Sequence, residues 1–195
     1  MKAFKTLLSF GLVLGLSACV QPEATRSAPD GMSGAVSLAT KDAPVTVKQK
    51  AVAIPLNVTQ VVVKVPSSLR VSEADTWYPV ADVVWRGEPR GNRLVQVKAI
   101  FDEAAAKGTA GLNSGVAVVA EVEVVRFHCV TEKTRNTIGG THALHFKLTI
   151  RDAATGAVLD GPRLVNADVK ASGGSKAIAE DYAGRTQRVV VVERL

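Results

Sequence analysis

Between Val58 and Val65 the chain reads Val-Thr-Gln-Val-Val-Val-Lys-Val and then stops at Pro66-Ser67-Ser68. Dense β-branched residues bounded by turn formers predict a strand, and Val45-Thr46-Val47-Lys48 reads the same way on a smaller scale. A loop with Trp77, Tyr78 and Pro79 leads to a short apolar run, Val80 to Trp85, and to the turn Arg86-Gly87-Glu88-Pro89-Arg90-Gly91. From Asn92 the period changes. Leu94, Val97, Ile100, Phe101, Ala104 and Ala105 recur three and four apart, with Arg93, Gln96, Lys98, Asp102, Glu103 and Lys107 between them. This predicts an amphipathic helix capped by Asn92 and ended by Gly108.

A long strand is predicted from Val116 to Val130, with Val118, Ala120, Val122 and Val124 on one face and Glu121 and Glu123 on the other. Its partner runs from His142 to Arg151, with Leu144, Phe146, Leu148 and Ile150 opposed to His145, Lys147, Thr149 and Arg151. Folding the pair about Asn136 sets Val124 opposite Leu148 and Val122 opposite Ile150, so that both apolar rows share one face. After the turn Asp152 to Gly156 come Ala157-Val158-Leu159 and, past Gly161-Pro162, a strand from Arg163 to Lys170. The Gly-Pro interruption suggests a bulge or a sheet edge. A short helix over about Lys176 to Ala183 follows Ser172-Gly173-Gly174-Ser175, and the valine-rich stretch Gln187 to Glu193 reads as a closing strand. The fold class is therefore α+β, a mainly antiparallel sheet packed by one long and one short helix in the order ββ(β)αβββαβ.

The N-terminus follows a different logic. Lys2 and Lys5 precede the uncharged, apolar run Thr6 to Leu16, which has the length of a secretion-signal core and is too short to cross a bilayer. It ends in Leu16-Ser17-Ala18-Cys19, which resembles the lipobox of bacterial lipoproteins: small residues before the cut and a thiol to carry the lipid as a thioether. Residues 1–18 then form the signal, and Cys19 becomes the lipidated N-terminus that anchors the protein to a membrane. The plain alternative is an ordinary secretory signal beside a chance cysteine. Val20, rather than aspartate, follows Cys19, which in lipoproteins points to the outer membrane over the inner one, facing the periplasm. Residues 19–43 are rich in Pro, Ser, Ala, Gly and charge and read as a flexible tether. Residues 44–195 match one α+β domain, large enough to bury a core without staples. With Cys19 lipidated, Cys129 has no partner for a disulfide.

Charge adds little. The net charge is +6, of which Lys2 and Lys5 leave with the signal, and the arginines are spread from Arg26 to Arg194 rather than striped beside aromatics. A solvated basic surface is the reading, and nucleic acid is not an expected partner. All three histidines, His128, His142 and His145, fall within a short stretch, and the hairpin register above puts His128 near His142. Zinc would need a third and a fourth ligand, whereas alternation turns Cys129 and His145 to the other face, so polar strand-end histidines are preferred to a metal site. No Gly-x-Ser-x-Gly elbow, His-Glu-x-x-His helix or phosphate-cradling loop is present, and Glu121 with Glu123 reads as a solvated face. Gly139-Gly140 and Gly173-Gly174 read as turn glycines. No catalytic residue, metal or cofactor is expected.

Two features could serve a partner. The polar loop 131–141, with Arg135, is about twice the usual hairpin length. Trp77 and Tyr78, with Trp85, could form an exposed docking patch, although in a chain with so few aromatics the core is the preferred place for them.

The segments Trp77-Tyr78-Pro79, Asp82 to Gly87, Val97 to Phe101, Arg126-Phe127-His128, Thr131 to Arg135 and Gly184 to Gln187 together resemble an uncharacterised bacterial lipoprotein family built around a domain of unknown function. The likeness covers most of residues 55–195 and implies no activity. More loosely, the element order looks like small α/β lipoproteins that serve as auxiliary subunits of envelope assemblies. The expectation is a non-enzymatic envelope interaction protein with a protein partner. A periplasmic ligand- or cell-wall-binding module comes second and a hydrolase third.

Overall fold

The computed structural model describes residues 54–195. The expected signal (1–18), the lipidated Cys19 with its tether (19–43) and the strand Val45 to Lys48 lie outside the described residues. Strand β1 (Leu56–Lys64) is followed by the two-residue β2 (Val83–Val84), helix α1 (Arg93–Thr109) and the long β3 (Val116–His128). After a single helical turn, α2 (Glu132–Arg135), come β4 (Gly140–Asp152), β5 (Val158–Asn166), β6 (Val169–Ala171), α3 (Gly174–Tyr182) and α4 (Gln187–Arg194). The fold is α+β, with a mostly antiparallel sheet in the order β1-β3-β4-β5. β1 and β2 pair parallel to β3, and β6 continues alongside β4 where β5 ends. No described helix is long and apolar enough to cross a membrane.

Helix α1 forms where its period predicts. The Asn92 carboxamide oxygen accepts from the Leu94 and Val95 amides at 3.1 and 3.2 Å, closing the first turn. The ion pairs Lys98–Asp102 and Lys107–Glu103 line its solvent side. It runs past Gly108 to Thr109, because nothing forces the chain into a left-handed turn at that glycine. Val97, Ile100, Phe101 and Ala104 lie on the sheet, where Val63, Val122, Val124, Phe127, Leu144 and Phe146 complete the core. Phe101 meets Phe146 edge-on at 5.5 Å, and Trp85 meets Phe127 in the same way at 5.5 Å. The other face of the sheet is charged: Glu121 pairs with Lys64 and Arg151, and Glu123 with Lys147.

Three sequence expectations are corrected. The β3–β4 register is displaced by two residues, Val122 facing Leu148 and Val124 facing Phe146, which preserves the shared apolar face because side chains alternate with period two. Beyond Val124 a bulge shifts the register by one more residue, so that Phe127 faces Leu144 and His128 faces Ala143. The stretch Arg163 to Lys170 is not one strand. Its first part belongs to β5, which starts at Val158, carries Gly161-Pro162 and forms the sheet edge, and its last part belongs to β6. Finally, Gln187 to Glu193 is helical. Thr186 caps α4 by accepting from the Val189 amide, Val191 and Val192 enter the core, and Arg188 bonds Glu88 and Glu103. Valine costs only a few tenths of a kcal/mol in a helix, about 0.5 each, which burial of two of them exceeds.

The two glycine pairs are more than turn residues, since Gly139 (φ +70°) and Gly173 sit backbone against backbone. A methyl group on Gly173 would lie 2.0 Å from the Gly139 amide nitrogen, while at Gly108 it would meet nothing within 4 Å. Gly173→Ala is expected to lower stability by about 1–3 kcal/mol and Gly108→Ala to raise it by about 0.5–1 kcal/mol. Urea denaturation of both variants checks this, and changes of the same sign would contradict the packing described.

Candidate functional site

The site is built at the end of the sheet where β3 and β4 meet α2. The bulge in β3 turns His128 away from the core, and the segment 74–80 closes over it. Tyr78 stacks on the imidazole with centroids 4.4 Å apart, and His128 Nε2 lies 2.9 Å from the Pro79 carbonyl oxygen. A ring nitrogen facing a carbonyl must carry the proton, so Nε2 is the N–H of a neutral imidazole. Burial holds the His128 pKa below its ordinary value. The Tyr78 hydroxyl accepts from Arg126 Nη2 at 2.7 Å.

Three hydrogen bonds clamp this segment to the first turn after β3. Thr131 Oγ1 donates to the Thr76 carbonyl at 2.8 Å, Thr134 Oγ1 to the Trp77 carbonyl at 2.9 Å, and the Lys133 amide to Asp75 Oδ1 at 2.9 Å. Thr131 also caps α2 by accepting from the Thr134 amide at 3.2 Å. With their backbone held this way, Trp77 and Tyr78 point outward, 49% and 66% exposed, and Lys133 lies 4.9 Å from the Trp77 ring. Between them and Ile138, itself 77% exposed, opens a cleft of about 420 Å³. Its floor and polar rim come from His128, Cys129, Ala143, Thr134 and Asp168. Asp168 Oδ1 accepts from the Leu144 amide at 3.0 Å and lies 3.0 Å from His145 Nε2. Cys129 is fully buried, and desolvation pushes its thiol well above the ordinary range, so it stays protonated and unreactive.

The structure thus joins Trp77 and Tyr78 to the loop 131–141, two features the sequence leaves separate, and it corrects the core placement preferred for them; of the three aromatics only Trp85 is in the core. It divides the histidines. His142, on the core face, lines a second cavity of about 180 Å³ with Arg135, Lys170, Lys176 and Arg185, and His145 faces Asp168. Among the described residues no three His, Cys, Asp or Glu side chains converge on a common point. Arg135 braces α2 against α3, donating from Nη2 to Asp181 at 2.6 Å and to the Ala177 carbonyl at 3.4 Å. Sequence reasoning missed Ile138 and Asp168. Ile138 carried a signal, as the one large apolar residue in an otherwise polar loop.

A family model matches residues 56–195, from β1 to the C-terminus. The chain belongs to the family of unknown function DUF6778. Every cleft residue lies within the DUF6778 match, and Cys19 lies outside it. Neither the curated proteins nor the solved structures contain a match.

His142 makes stability pH-dependent. Burial, and secondarily the charge of Arg135, bring its pKa from 6.5 to about 4. The unfolded chain therefore takes up a proton first, so this contribution is complete above about pH 6.5 and is lost as pH falls towards 4. Between pH 7 and 4.5 the loss through His142 is about 2–3 kcal/mol, at 1.36 kcal/mol per pKa unit. His142→Leu should flatten the pH dependence of the urea midpoint by that amount, and an unchanged slope would show that the imidazole is not buried neutral.

Proposed function

We propose that this DUF6778 protein is a lipoprotein, anchored through Cys19 after removal of residues 1–18, whose domain docks a partner protein of the periplasm-facing envelope without catalysing a reaction. The observation that carries the reading is the Trp77–Tyr78–Ile138 cleft. In a chain with two Trp, two Tyr and five Phe, one Trp and one Tyr stand exposed beside an exposed isoleucine, and Val80 next to them is 84% exposed. Such clusters are the usual anchors of protein interfaces, where rigid aromatic rings give large contact area at low entropic cost. The chemistry around the cleft supports binding over turnover, since His128 is committed to the Pro79 carbonyl, Asp168 to the Leu144 amide and His145, and Cys129 is a buried thiol.

The other docking feature, the edge strand β5, is less suited. Gly161-Pro162 interrupts it, and Asp160 and Arg163 place charge along it, devices that discourage added strands. A second reading, a small-ligand or cell-wall-binding module on an outer-membrane anchor, is favoured by the cleft volume of about 420 Å³, which falls in the range of small-molecule sites.

A photo-crosslinking residue at position 138 of the full chain in intact cells should give one discrete protein adduct, and the same probe at Lys147 on the charged sheet face should not. Trp77→Ala should weaken capture by at least about 2 kcal/mol, as for an interface anchor, without changing the thermal midpoint. Equal adducts from both positions, or no effect of Trp77→Ala, would reject the docking cleft, and glycan co-purifying in place of a protein would support the second reading. Cys19→Ala should move the protein to the soluble fraction, and its retention on the membrane would refute the anchor.

A further inference from the structure

The second cavity lies at the start of β4, between β6 and α3, and its walls are unlike those of the cleft. Arg135 from α2, Lys170 from β6, Lys176 from α3 and Arg185 from the turn before α4 face it, against the single carboxylate of Glu180. The cations are not used up by the acids around them. Arg135 engages Asp181 through Nη2 and Arg185 engages Glu193 through Nη1, which leaves the remaining N–H groups of both guanidinium forks. Lys176 is 3.9 Å from Glu180, and Lys170 has no carboxylate within 4.0 Å among the described residues. Glu180 is itself occupied, its Oε1 accepting from Ser172 Oγ at 2.8 Å.

His142 supplies an independent sign that something is missing. Its side chain is 1% exposed and lines the cavity, yet neither ring nitrogen is hydrogen-bonded to a described residue, and Nδ1 is buried without any partner. Buried polar groups are hydrogen-bonded in nearly all cases, so an orphan imidazole facing four cations calls for an acceptor. We infer that this cavity binds a phosphate-class oxyanion, held by Arg135, Lys170, Lys176 and Arg185 with the imidazole N–H of His142 as a further donor. A phosphoryl group has at least two, and as free phosphate four, oxygens that accept from different directions, matching donors arranged on four elements and a turn, whereas a carboxylate offers two oxygens in one plane. Free phosphate and the phosphodiester of a lipid headgroup share this chemistry.

Calorimetric titration of the full chain in phosphate-free buffer tests the site, using inorganic phosphate in one arm and a water-soluble short-chain phosphatidylglycerol in the other. Saturable binding in either arm is expected, with a shift of the His142 ring resonances, and the tighter arm identifies the source. Lys170→Gln and Lys176→Gln, both on the surface and expected to keep the thermal midpoint, should each weaken binding about 10- to 100-fold, the scale of one charged hydrogen bond. Absence of saturable binding in both arms, or affinity unchanged in both variants, would overturn the inference. Trp77→Ala should leave this binding intact, which keeps its outcome separate from that of the docking cleft.

Discussion

The apolar row of β3, Val118, Ala120, Val122 and Val124, faces α1, and unbroken alternation would next send Arg126 and His128 into the core. Breaking the solvation of an unpaired guanidinium there would cost several kcal/mol. The bulge at Val125 inserts one residue and changes the parity. Phe127 then takes the inward position beside Trp85 and Phe101, Arg126 reaches the Tyr78 hydroxyl, and His128 turns to the Pro79 carbonyl. The segment over His128, and with it the outward setting of Trp77 and Tyr78, depends on that single change of register.

The two cavities share a wall. Thr141 and Ala143 face the aromatic cleft while His142 between them lines the cationic cavity, the ordinary consequence of strand alternation. The helical turn α2 divides in the same way, giving Thr134 to one side and Arg135 to the other. The close approach of Gly139 and Gly173 lets the loop before β4 pass against the start of α3, so both cavities close on one backbone crossing.

Elsewhere the surface is organised to stay wet. The pairs Lys64–Glu121, Arg151–Glu121 and Lys147–Glu123 are partly exposed and contribute less than about 1 kcal/mol each to stability. Their effect is on where a partner can settle, because a dense lattice of solvated charge is costly to cover. Trp77, Tyr78 and Ile138 instead stand exposed together around the cleft at the β3–β4 end.

Helix α1 and the apolar rows of β3 and β4 were legible in the sequence because each element is buried along one face, and a face repeats with the period of the backbone. Even the two-residue slip in the hairpin left the faces correct. The signal-like N-terminus and Cys19 are likewise patterns of local composition, which is why they are the clearest statements the chain makes outside the described residues. Other features have no local cause. The valines after Thr186 favour a strand by well under about 1 kcal/mol each, and contact with α1 and the bonds of Arg188 to Glu88 and Glu103 make them a helix instead. Trp77 and Tyr78 look like core residues until Thr131, Lys133 and Thr134, more than fifty positions away, take hold of the backbone beside them. Sequence alone determined which faces are apolar. Only the tertiary structure decided which side chains meet, because the hydrogen bonds that set the cleft join segments that no periodicity connects.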